Sequence, residues 1–480
     1  MCIRDRANTN VTNLFYMKSS RLLWLIISIS FLILFGCSSL RHSLFQSNAL
    51  DLGWFDQTFY LISQGIEPIV SFSDNHILGD HAAIIVYPLS LLYAVYPNVY
   101  WLLIIQSCAL SITILPLWKL SKQANLSDGS SLIVVLIYLF YPLTFNVNLF
   151  DFHTEIIALP AIVWSIFAAK SNFKLQFIFS ILLILSCKAV LSLTVIGMGI
   201  WLFFNERKRE YGIFALFTGI IWFIIATQSI IPHFNNGEVA AVGRYSFLGS
   251  SVFNIITNLF VNPQIIFSHV WNLANLEYIF LLFIPIIWYL NPYYFGVLIP
   301  TIPSLVLNLL TDYQPQKDLI HQYSVPIIPF LLLLVITSMQ HKKRTTTFTK
   351  YTLVWSLLSF LTLAKFDFFI SKYIKQAGSL SAMREAVELI PPKVKVLTSP
   401  QFAPHLGHRS IIKLAIKDQE PIDINNFDHI LLNVRYPGWE NSRDTVDNLV
   451  KKIKNDLNFK IEYSHKDIIL FKKNINDLKI

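Results

Sequence analysis

Apolar residues fill most of the first 370 positions in long runs, and short polar or charged segments separate them. A helix needs about twenty apolar residues to cross the hydrocarbon core of a bilayer. On that measure the runs predict spans near 22–39, 99–118, 130–149, 156–170, 175–187, 189–204, 211–231, 276–290, 293–310, 324–340 and 351–370. Tyr, Trp and Pro mark many of their ends, as at membrane interfaces. Beyond residue 376 the pattern changes. Lys393–Thr398, Ile411–Ala415 and His429–Val434 read as strands, Thr445–Leu457 as an amphipathic helix, and Phe459–Tyr463 with Ile468–Phe471 as a hairpin. The reading is an all-α polytopic membrane protein of about eleven transmembrane helices, followed by a small C-terminal α/β domain.

Two irregularities interrupt the spans. The loop between the first two, about 40–98, carries Asp51, Asp56, Glu67, Asp74 and Asp80. It ends in an apolar stretch, Ala82–Pro97, which is short and holds Pro88, so it is expected to lie along the surface or re-enter. Residues 175–204 are too few for two full spans and read as two half-length helices meeting at Lys188. Short broken helices often border a binding cavity.

Composition sharpens this. Of 480 residues, 54% are hydrophobic and 14% charged, against about 25% charged in soluble domains. A net charge of +9 raises the question of nucleic acid, but the charge sits in short loops between apolar runs, where it orients a membrane protein. With the N-terminus inside, the inner loops hold Lys18, Arg21, Lys119, Lys122, Lys170, Lys174, Arg207, Lys208, Arg209, Lys342, Lys343, Arg344 and Lys350. The outer loops before residue 360 hold only Arg41, Arg244 and Lys317. The N-terminus is therefore expected in the cytoplasm of a cell with a plasma (inner) membrane. An odd span count then puts the C-terminal domain outside. No nucleic-acid partner is expected; membrane lipid is.

Residues 1–16 are polar and unpatterned, and Met17 opens a typical membrane start. The domains expected are a non-native or disordered 1–16, a transmembrane domain over 17–375 and a soluble domain over 376–480. Leu34-Phe35-Gly36-Cys37 also resembles a lipoprotein cleavage site, which Phe35 fits poorly. Cys2, Cys37, Cys108 and Cys187 have no metal-site spacing and imply no disulfide framework.

Candidate chemistry gathers in the outer segments. In Asp51-Leu52-Gly53-Trp54-Phe55-Asp56-Gln57, Asp51 or Asp56 could be a general base at the membrane surface, or the pair could hold a divalent cation. Acids are also simply common in outer loops. Gly79-Asp80-His81 could form an acid–base or ligand pair, and a capping turn explains it equally. Asp151, His153 and Glu155 crowd one short loop, where helix capping is the competing explanation. Lys188 is costly to bury between apolar helices, which points to a phosphate or carboxylate partner; snorkelling to the surface is the alternative. Arg244 with Tyr245, His233, and His321-Gln322-Tyr323 complete the set. Each is individually explicable as structure, while together with Lys188 they could line an anionic site.

Several of these segments in order resemble the "domain of unknown function 2079" family of predicted membrane proteins. They are Asp51–Gln57, Gly79–His81, Asp151–His153 with Glu155, His321–Tyr323 before Pro326 and Pro329, and Pro404-His405-Leu406-Gly407-His408-Arg409. One departure is that Ala189, not an acid, follows Lys188, which weakens an ion pair at that point. The family is similar in layout to GT-C type glycosyltransferases, which take sugars from polyprenyl-phosphate carriers. The resemblance implies an inverting membrane glycosyltransferase working on the extracytoplasmic face, with a polyprenyl-phosphate-linked sugar as donor. Asp51 or Asp56 would be the base. Asp80, His81, Asp151, His153, Glu155, Lys188, Arg244, His321 and Tyr323 would hold substrate, with Lys188, Arg244 and His321 facing the lipid phosphate. Two other classes stay open: a transporter or lipid-carrier flippase, and a non-catalytic envelope scaffold.

Overall fold

A computed structural model describes residues 2–235, 237, 239–341, 346–417 and 422–474. Lys342, Lys343 and Arg344 of the inner-loop charge count lie outside them. The chain divides into two compact units. One comprises Met1–Cys37, His81–Ile84 and Ile104–Ala364; the other comprises Ser38–Asp80, Ile85–Leu103 and Lys365–Ile480.

The first unit is a helical assembly. Among the described residues of the whole chain, five helices are long and apolar enough to cross a membrane: Ser20–Ser43, Tyr100–Gln123, Arg209–Asn235, Pro292–Leu310 and Gln314–His341. Two bent pairs raise the number to seven if each is one span. Asp128–Leu139 turns by 42° into Pro142–Leu149, and Pro263–Val270 turns by 71° into Leu273–Tyr289. At the first break Pro142 opens the second helix, where its missing N–H costs nothing; at the second, Asn272 caps the following helix, its Oδ1 accepting from the Asn275 N–H at 2.8 Å. The expected eleven included short apolar helices, among them the half-length pair Lys174–Cys187 and Leu191–Phe204, which lie below spanning length. Between these two, Lys188 is fully extended (φ −165°, ψ 143°), so the predicted break is where the lysine sits.

Packing here follows membrane rules. Apolar side chains such as Leu25, Ile29, Phe217, Ile224, Val354 and Leu361 are exposed on helix faces, where lipid would cover them. Helices approach through small residues. A Cβ at Gly199 would lie 2.6 Å from the Leu216 nitrogen and 2.9 Å from the Gly212 oxygen, so Leu191–Phe204 and Arg209–Ile225 touch backbone to backbone. Buried amides bind distant segments: Asn148 Nδ2 donates to the Leu34 carbonyl (2.8 Å), and Asn146 Nδ2 to the Leu319 carbonyl (2.7 Å).

The second unit is α/β. Its hairpin pairs β1 (Ile69–Val70) with β2 (Asn75–His76). Its main sheet contains β3 (Val396–Thr398), β4 (Ile412–Leu414), β5 (His429–Asn433), β6 (Phe459–His465) and β7 (Ile468–Lys473), in the order β4-β3-β5-β7-β6. Strand β3 runs parallel to β4 and β5, and β7 antiparallel to β5 and β6. All residues of β3 and β5 are buried, as befits central strands covered on both faces. Helix Arg443–Lys454 starts on a Ser442 cap, whose Oγ accepts from the Thr445 N–H at 3.1 Å. It packs Val446, Val450 and Ile453 into the sheet core.

The acidic first loop is part of this unit. Ser71 Oγ donates to the Ile412 carbonyl (2.8 Å) and accepts from the Ile412 N–H (2.9 Å), joining the hairpin to β4. Lys413 and Asp74 form an ion pair at 2.7 Å. Residues 38–80 and 365–480 thus share one compact unit.

Candidate functional site

Asp56 lies in helix Trp54–Ser63 and is 1% exposed. A buried carboxylate needs donors, and two reach its Oδ1. The Tyr93 hydroxyl donates at 2.7 Å, and His408 Nε2 lies at 2.9 Å. Gly407 is required next to it, because a Cβ there would collide with Asp56 Oδ2. The loop carrying Gly407 and His408 is braced from both ends. Arg409 Nε donates to the Leu406 carbonyl (2.6 Å), and Gln57 Nε2 donates to the Arg409 carbonyl (2.9 Å).

His408 is sandwiched by aromatics. Its ring stacks on Tyr60 at 5.3 Å and meets Tyr93 edge-on at 5.7 Å. Burial alone would push its pKa down, but the adjacent Asp56 carboxylate overrides this and holds it above the ordinary imidazole value. Beside it opens a cleft of about 390 Å³, lined by His42, Asp56, Tyr100, His405 and His408 among others. His42 and His405 stack at 4.1 Å. Burial holds the His405 pKa well below the ordinary imidazole value. Among the described residues no group of three His, Cys, Asp or Glu is arranged to hold a metal. Asp51 is half-exposed, in the turn Ala49–Gly53 that precedes the helix, and Asp80 ends the short helix Ile77–Asp80.

A second cluster lies in the helical unit. Lys188 Nζ is 2.6 Å from Glu155 Oε1, with side chains 16% and 4% exposed. The partner missing from position 189 is thus supplied from 33 residues earlier. Glu155 Oε2 is buried and accepts no hydrogen bond from the described residues. His81 belongs to the same unit, its carbonyl accepting from the Ala189 N–H at 3.0 Å. Asp151 is buried at φ 90°, a left-handed conformation that Asp tolerates better than most residues. His153 follows, with its N–H on Gln106 Oε1 (3.0 Å) and its ring on Phe150 (5.6 Å).

Phe150 leads on to the remaining candidates, meeting His321 edge-on at 4.1 Å. His321 Nδ1 lies 2.7 Å from Asp318. The Arg244 guanidinium sits over the rings of Tyr313 (4.4 Å) and Tyr323 (5.3 Å) and donates to Gln316 Oε1 at 3.2 Å. It has no carboxylate partner among the described residues.

The profile of a family described as "Predicted membrane protein (DUF2079)" matches residues 41–470. The chain belongs to that family. Most of this DUF2079 chain also superposes on solved structures. The crystal structure of ArnT from Cupriavidus metallidurans bound to undecaprenyl phosphate matches with a TM-score of 0.55 at 10% identity, covering 95% of this chain and 99% of that one. The apo form of the same protein gives 0.56 at 10% identity, covering 95% and 98%. The likeness to GT-C type glycosyltransferases, ArnT being one, is therefore met at the level of fold. Among curated protein sequences, none matches the DUF2079 chain.

Sequence reasoning reached Asp56, Glu155, Lys188, Arg244, His321 and Tyr323, and the structure gives each a specific partner. It missed His408 and Tyr93 as partners of Asp56. The available signal was the Gly407-His408-Arg409 run, noted as a family feature without a role.

Proposed function

We propose that this protein is a membrane glycosyltransferase that takes a sugar from a polyprenyl-phosphate carrier on the extracytoplasmic face and transfers it, with inversion, to an acceptor hydroxyl. The observation that carries this reading is the Arg244 seat. A guanidinium has five donors in one plane, and among the described residues only one is used here. Two tyrosine faces hold the plane, and among the described residues the cation has no carboxylate partner. A preoriented, uncompensated cation within a bundle of membrane helices suits a single phosphodiester. The ArnT fold, in a protein crystallised with undecaprenyl phosphate, supports the same ligand class.

Roles follow from the chemistry. Arg244, backed by Gln316 and Tyr323, would hold the phosphate and stabilise it as it leaves. Lys188, already paired with Glu155, would serve to keep that region rigid and charge-balanced. The test is lipid-linked sugar analysis in cells lacking the protein. One polyprenyl-phosphate sugar should accumulate, and wild-type chain should clear it. An unchanged lipid-linked sugar pool would refute the reading.

The buried Lys188–Glu155 pair at a helix break favours one runner-up, a transporter or carrier-lipid flippase. Movement of carrier lipid that depends on an imposed proton gradient in vesicles would decide for it.

A further inference from the structure

Asp56 is an unsuitable base by itself. It is 1% exposed, its Oδ1 takes two hydrogen-bond partners, and its Oδ2 lies against Gly407. An acceptor hydroxyl on a sugar or lipid cannot reach it. His408 is placed differently. Its side chain is 35% exposed and borders the cleft. Facing a carboxylate, Nε2 carries the hydrogen, so in the neutral ring Nδ1 bears the lone pair. Nδ1 has no protein partner among the described residues. This is the carboxylate–imidazole arrangement in which the acid fixes the tautomer and the ring moves the proton.

We propose that His408, contributed by the C-terminal domain, is the proton acceptor of the transfer reaction, and that Asp56 is the residue that positions it. The proposal rests on the glycosyl-transfer reading. In the step, the acceptor oxygen attacks the anomeric carbon and its proton passes to His408 Nδ1. The bond from the anomeric carbon to the phosphate oxygen breaks, and its electron pair leaves with the polyprenyl phosphate. The imidazolium that forms is stabilised by Asp56 and later returns its proton to solvent through the cleft. Tyr60, Tyr93 and Arg409 are the other titratable groups against or beside the ring; His42 and His405 line the cleft.

The test uses the full chain in membranes from cells lacking the native protein, with clearance of the accumulated polyprenyl-phosphate sugar followed by mass spectrometry. His408→Gln keeps a donor for Asp56 but has no basic nitrogen. It should slow clearance by about a hundredfold to ten-thousandfold. His408→Ala should be equally slow and regain at least tenfold when free imidazole is added. Clearance by His408→Gln within about threefold of wild type overturns the proposal, as does loss in His408→Ala that imidazole leaves unchanged, which would mean a purely structural role. If no lipid-linked sugar accumulates without the protein, the glycosyl-transfer reading itself fails. That outcome is distinct, because it precedes any comparison of variants.

Discussion

Replacing Lys188 by Met isolates the cost of a lone charge in the helical unit. Lys188 and Glu155 are 2.6 Å apart, and Glu155 is 4% exposed with no hydrogen-bond donor on Oε2 among the described residues, so the lysine is its close cation. Two estimates bound the effect. Removing one member of a buried pair costs about 3–5 kcal/mol. The carboxylate can escape by taking a proton, and a group with an ordinary pKa of about 4.3 pays about 3.7 kcal/mol for that at pH 7. The second value is the ceiling. It has a pH signature: protonation becomes easier by about 1.4 kcal/mol per unit as pH falls, so the deficit should fade between pH 7 and about 4.3. The assay is thermal unfolding of detergent-solubilised full-length protein. Lys188→Met should melt on the order of 3–6 °C lower at pH 7, with the gap closing toward pH 5. Adding Glu155→Gln should restore most of the loss, because no charge is then left buried. A Lys188→Met protein that melts with wild type at pH 7, or whose deficit is unchanged by pH or by Glu155→Gln, would refute the reasoning.

Other consequences follow from the same geometry. Gly199→Val drives a side chain into the Leu216 and Gly212 backbones and should cost about 1–3 kcal/mol; Gly36→Ala, with nothing within 4 Å, should leave the melting temperature unchanged. Arg244→Ala should raise the KM for the lipid-linked donor by about tenfold to a hundredfold, as expected for a charged hydrogen bond. Arg244→Lys should recover only part of this, lacking the planar fork. Asp56 raises the pKa of His408 in the folded chain, so the pair's stabilisation is fully present below about pH 6.5 and is lost as pH rises through the folded value. The gap in melting temperature between wild type and His408→Gln should therefore be widest in mild acid and narrow toward pH 9. The comparison with His408→Gln cancels His405, whose depressed value acts with the opposite sign.

The C-terminal strands were legible almost to the residue, because short alternating or fully apolar runs between turn residues have few other uses. Their order was not, since β3 joins β4 and β5 through pairings that no local pattern encodes. The break at Lys188 was legible from length alone. Its partner was not, because Glu155 is close to Lys188 only once two helices have folded against each other. Hydropathy registers that a run is apolar but cannot see it bend, as at Tyr141 before Pro142. Asp56 stood out as an acid in an outer loop. What the sequence could not reveal is that it is buried, because Gly407 and His408, which close over it beside Tyr93, come from the far end of the chain.

That distance has a consequence for biosynthesis. Asp56 and His408 are 352 positions apart. At about 5–20 residues per second, the loop bearing Asp56 waits roughly 20–70 seconds for its imidazole partner to be made. Every intervening helix must be placed before the two can meet. A chain that stalls or inserts with one crossing too few delivers His408 to the wrong side of the bilayer. The Asp56 centre thus cannot form in a half-made or mis-threaded copy, and its completion reports that the whole topology is correct.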